Sequence, residues 1–127
     1  MSSHATSTKI LIVDGDAVFA DILGVVLRDN GFDIVKCSTG KEASRLLEEG
    51  VFDLVLSDAD LPDNSGAAIC RQLKKDSRLR AMPVILMSGG LEEDQRHRAF
   101  EAGATDFLSK PFKINAMVAK VRDCLER

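Results

Sequence analysis

No stretch of the chain approaches the roughly 18 consecutive apolar residues that a membrane span requires. The first eight residues, MSSHATST, lack the charge-then-apolar order of a signal peptide. A cytoplasmic protein with a disordered polar leader over residues 1–8 is therefore expected. Positive charge is not in excess: the net charge is -3. The electrostatic footprint of direct nucleic-acid binding is missing. Cysteine is scarce and scattered. Cys37, Cys70 and Cys124 form no CxxC pair and no zinc spacing, which predicts reduced thiols and excludes a disulfide scaffold. Repeats and linkers are absent too. The 127 residues, 45% hydrophobic and 29% charged, suit one domain over residues 9–127 with one core.

What the chain does have is alternation. Ile10–Val13 is a short apolar run. From Asp16 to Asn30, Phe19, Ile22, Leu23, Val26 and Leu27 fall at helical spacing, and Gly31 follows as a stop. The segments FDIVKC, FDLVLS, PVILMS and TDFLS read as further strands. STGKEASRLLEEG, GAAICRQLKK, LEEDQRHRAFEAG and the segment from Phe112 onward read as helices. Strand then helix, five times, means a parallel sheet covered on both faces. Strands one, three and four are continuously apolar and so buried on both sides, whereas two and five are mixed like edge strands. That predicts an α/β fold, doubly wound, with five strands in the order 2-1-3-4-5, flavodoxin-like.

In such sheets ligands bind beyond the carboxyl ends of the strands. Strand one runs into Asp14, strand three into Asp58, strand four into Ser88 and strand five into Lys110. Two acids, a hydroxyl and an amine thus reach one rim. Gathered carboxylates repel unless a hard cation such as Mg2+ lies between them. A carboxylate can also act as a nucleophile and carry a phosphoryl group, whose oxygens a lysine and a hydroxyl would answer. The chemistry is that of receiving a phosphoryl group.

The stretches ILIVDGD, DLVLSDADLPDNSG, PVILMSGG and GATDFLSKPF resemble the four motifs of the bacterial response-regulator receiver domain, the CheY-like family. The resemblance runs from about Lys9 to Glu126. It implies that Asp58 is the phosphoacceptor, that Asp14 is an acid of a Mg2+ pocket, and that the backbone carbonyl of Asp60 is a metal ligand. It implies that Ser88 is the switch hydroxyl, Phe107 the switch aromatic and Lys110 the amine that contacts phosphate. The Lys110–Pro111 bond resembles the family's cis peptide. The implied partners are a histidine kinase or histidine phosphotransfer protein as donor, and a target read through the fourth helix, fifth strand and fifth helix. The implied protein is a signalling element with at most slow self-catalysed phosphoryl transfer.

One departure stands out. The family usually carries two adjacent acids after strand one, and here the second position is Gly15. Two acids could compensate: Asp16, which also sits where a helix N-cap belongs, and the side chain of Asp60. Weak Mg2+ binding is expected. A pseudo-receiver that keeps the fold without phosphorylation is the first alternative. The second is a haloacid-dehalogenase-like phosphatase, with Asp58 and Asp60 as its paired acids. Against it, the acidic strand comes too early, Pro62 stands where threonine or valine is usual, and no cap domain fits. His97, between Arg96 and Arg98, reads as a solvated surface residue, and Cys124 as helix packing.

Overall fold

The computed structural model describes residues 7–63, 66–90 and 92–126. The expected leader falls largely on residues 1–6, outside the described residues. Strand β1 (Lys9–Val13) leads into α1 (Ala17–Asp29). Then follow β2 (Asp33–Cys37), α2 (Gly40–Glu49), β3 (Leu54–Asp58), α3 (Gly66–Lys75), β4 (Val84–Ser88), α4 (Glu92–Glu101), β5 (Asp106–Ser109) and α5 (Ile114–Glu126). All neighbouring strands pair in parallel, in the order β2-β1-β3-β4-β5.

Burial explains that order. Every residue of β4, four of the five in β1 and four of the five in β3 are buried, whereas β2 buries only Cys37. Alternate side chains of the central strands feed two separate cores. Leu11, Val13, Val55 and Leu86 pack with Leu47, Leu73, Ala99 and Phe107 on the face covered by α2, α3 and α4. Ile12, Leu56, Ile85 and Met87 pack with Leu23, Leu27, Met117, Val121 and Cys124 on the face covered by α1 and α5. The expected single core is thus two, divided by the sheet. The three cysteines are free thiols, all buried.

The helix ends follow local chemistry. Asp16 caps α1 by accepting from the Phe19 N–H. Thr39 caps α2 by accepting from the Glu42 N–H. Gly31 takes φ +93° immediately after α1. There a left-handed residue lets the chain turn into β2.

One expectation fails. Ile22 was placed on the core stripe of α1, yet it is 49% exposed, alongside Val18 and Val25. The helix carries apolar residues on more than one face, and only the stripe containing Leu23 and Leu27 meets the sheet. Leu91, one of the few apolar residues in the segment LEEDQRHRAFEAG, lies outside the described residues.

Candidate functional site

Because all five strands run the same way, their carboxyl ends share one rim, and Asp14, Asp58, Ser88 and Lys110 come to it together. Asp14 follows β1 directly and is 1% exposed. A carboxylate so deep needs partners on both oxygens. The Asp16 N–H donates to Oδ1 at 2.9 Å, and the Lys110 ammonium donates to Oδ2 at 3.1 Å. The same ammonium lies 3.6 Å from Oδ2 of Asp58. One lysine therefore bridges the two acids. The Lys110–Pro111 bond is cis.

Asp58 is held from its own loop, where the Asp60 N–H donates to Oδ1 at 3.3 Å. Burial pushes its carboxyl above the ordinary value. The Asp60 N–H and the Lys110 charge pull the other way, and Asp14 adds repulsion. The loop comes this close because α3 opens on glycine. A Cβ on Gly66 would stand 2.4 Å from the Asp58 carbonyl oxygen and 2.8 Å from a Leu86 methyl. Ser88 is 1% exposed at the end of β4, and its hydroxyl donates to the Gly89 carbonyl at 3.0 Å. Phe107 is 5% exposed and packed into the core with Ala99 and Ala102.

The oxygen donors at this rim suit a hard divalent cation of the kind that keeps several of its waters. The side-chain set is sparse. Asp14 is buried and Asp58 half-buried, and no group of three ligating side chains occurs among the described residues. Asp16, one of the two acids that could compensate, uses Oδ1 of its carboxylate for the α1 cap. Asp60 is exposed beside Asp58. Gly15 sits under Pro62, with a built Cβ 3.1 Å from Cγ and 3.3 Å from Cδ of that ring. The position of the absent acid is therefore partly closed by the loop after β3.

Several residues at the site carried no sequence signal for it. Asp63 ties the β3–α3 loop to the start of α2, accepting from the N–H groups of Gly40 at 2.8 Å and Lys41 at 3.0 Å. Those two donors hold its carboxyl below the ordinary value. Phe19 faces Lys110, whose ammonium stands 4.5 Å from the ring centroid, and the ring meets Phe112 edge-on at 5.8 Å. Its helical spacing had marked Phe19 only as core. His97 is exposed and lies 3.4 Å from Glu101 on the same helix, as a solvated residue would.

A doubly wound five-stranded sheet with acids, hydroxyl and amine on its carboxyl rim defines the receiver class of signalling folds. The chain belongs to the response regulator receiver domain family, whose model matches residues 10–122. It is 38% identical over 119 residues to the DNA-binding response regulator MtrA of Mycobacterium tuberculosis, covering 94% of this chain and 51% of that protein. It is 34% identical to the phosphate regulon transcriptional regulatory protein PhoB of Escherichia coli, covering 94% and 52%. The chain thus spans about half the length of the curated relatives it matches. Among solved structures, the signal receiver domain of a signal transduction histidine kinase from Syntrophus aciditrophicus superposes with a TM-score of 0.88 at 34% identity, covering 94% of this chain and 91% of that one. A two-component response regulator from Clostridium difficile gives 0.86 at 28% identity, covering 95% and 98%. The protein is a receiver domain of the two-component type. Neither the pseudo-receiver nor the phosphatase alternative gains support over that reading.

Proposed function

We propose that residues 9–127 act as one receiver unit whose phosphoacceptor is Asp58. The observation that carries this is the Lys110 ammonium set between the buried carboxylate of Asp14, at 3.1 Å, and the half-buried carboxylate of Asp58, at 3.6 Å. The donor is a phosphohistidine of a sensor kinase or phosphotransfer protein. One Asp58 oxygen bonds to phosphorus as the P–N bond breaks, and the bonding pair returns to the imidazole nitrogen. Mg2+ held by Asp14, Asp58 and the Asp60 carbonyl, with the Asp60 side chain adding charge, would supply charge neutralisation around the transferred group. Lys110 then exchanges carboxylate oxygens for phosphoryl oxygens, and the Ser88 hydroxyl turns from the Gly89 carbonyl to donate to the same group. Movement of Ser88 beside Phe107 shifts the balance between two conformations of α4, β5 and α5, the surface read by a target. The transfer is stoichiometric, with at most slow self-catalysis.

Incubation with acetyl phosphate and Mg2+, followed by intact-protein mass spectrometry, tests the assignment. The wild type should gain one phosphoryl group and Asp58→Asn none. A wild-type chain that takes no label would make this a binding module that works without phosphorylation. An Asp58→Asn chain that labels at the wild-type rate would move the acceptor elsewhere.

A further inference from the structure

We infer that Phe19 is a positioning residue for Lys110, holding its ammonium at the acid rim through the face of the ring. The inference rests on the reading of Lys110 as the phosphoryl-contacting amine and names a residue that this reading leaves out.

A lysine ammonium sits on a flexible four-carbon stem and is strongly hydrated. Two carboxylates attract it but do not fix it, since a point charge can slide between acceptors. Here a third wall is present. The ammonium lies 4.5 Å from the Phe19 centroid, inside the range of about 6 Å at which a ring face attracts a cation. Phe19 is itself fixed from two sides. Phe112 meets it edge-on at 5.8 Å, and the Asp16 carboxylate accepts from its backbone N–H at 3.1 Å.

These contacts close a circuit. Asp14 accepts from the Asp16 N–H, Asp16 accepts from the Phe19 N–H, Phe19 faces Lys110, and Lys110 donates to Asp14. Asp16, through the Oδ1 that accepts from the Phe19 N–H, is thus the residue that sets Phe19 in place. The ring has a further chemical merit where Gly15 replaces an acid. It attracts the ammonium without adding a carboxylate that would compete with Asp58 for it or repel an incoming phosphoryl group.

The test replaces Phe19 with mono-, di- and trifluorinated phenylalanine, which weakens the negative ring face stepwise at nearly constant shape. Leucine and tryptophan at the same position complete the series. In the unphosphorylated protein, the Lys110 ε-methylene protons should show a ring-current shift that Phe19→Leu abolishes. With acetyl phosphate and saturating Mg2+, the maximal labelling rate of Asp58 should fall steadily along the fluorinated series. The total fall to trifluorophenylalanine or leucine should be about two- to fivefold, and Phe19→Trp should retain the wild-type rate. A rate that stays flat along the series while the wild type labels normally overturns the inference and leaves the acceptor assignment standing. An absent ring-current shift overturns it on geometry alone. A wild-type chain that takes no label overturns both.

Discussion

At the scale of single residues, the site stores an unfavourable charge. Burial raises the Asp58 carboxyl above its ordinary value of 3.8, so folding favours its protonated form. A group raised in this way stabilises the fold most fully below its unfolded value, and that contribution is lost as the pH climbs through the folded value. At neutral pH the Asp58 carboxylate therefore counts against folding. In Mg2+-free buffer Asp58→Asn should raise the Tm by a few degrees at pH 7, and thermal melts should show the gain shrinking as the pH approaches 3.8. A gain that persists unchanged at pH 3 would mean that burial of the charge is not its source. Gly15 poses the complementary problem. Restoring an acid there should tighten Mg2+ by about tenfold, since affinity for hard cations follows ligand charge. Any side chain at that position must also press on Pro62, 3.1 Å from a built Cβ. Titration calorimetry should therefore find Gly15→Asp tighter, Asp60→Asn weaker, and Gly15→Ala, which crowds without charge, close to wild type. Wild-type affinity in both Gly15→Asp and Asp60→Asn would show that neither position bears on the metal.

At the scale of elements, α4 is the weakest-held piece. Ala99 is its buried residue among those described, while Phe100 stays 42% exposed with Arg96 over its ring. Helices with so little apolar anchorage open most readily. Beryllofluoride with Mg2+ should change amide exchange most between residues 88 and 110. A change confined to α1 and α2 would count against that output surface. Phe107 alters the expected picture of the switch. A switch aromatic would turn inward on activation, but Phe107 is already packed inward here, so the movement to look for is that of Ser88 and α4 around it. The elements themselves were legible from residue order. Continuous apolar runs marked β1, β3 and β4, GAAICRQLKK matches α3 end to end, and Asp16 served as the cap its position suggested. The rim residues Asp14, Asp58, Ser88 and Lys110 were legible because a strand end fixes where the next residue stands. Ile22 was not, because helical spacing alone cannot choose between two apolar stripes on one helix. Phe19 and Asp63 were not, because each acts across the fold, on β5's successor lysine and on the start of α2, and no local pattern carries such a contact.

At the scale of the whole molecule, the sheet is a partition with one shared edge. The residues Asp14, Asp58, Ser88 and Lys110 stand on the rim above both cores, while Phe107 belongs to the core beneath α4, and Met117 and Val121 of α5 belong to the other. A change at the rim can therefore reach α4 and α5 by different routes. The buried cysteines follow the same partition. Cys37 and Cys70 lie in the core under α2, α3 and α4, and Cys124 lies in the core under α1 and α5. Burial pushes the Cys37 and Cys70 thiols up to about 11, so both are protonated as well as covered. A thiol in that state meets an alkylating reagent only when the protein around it opens. The natural sequence thus carries its own reporters, and the pace at which each cysteine is modified, with and without a phosphoryl group on the rim, times the breathing of the two faces separately.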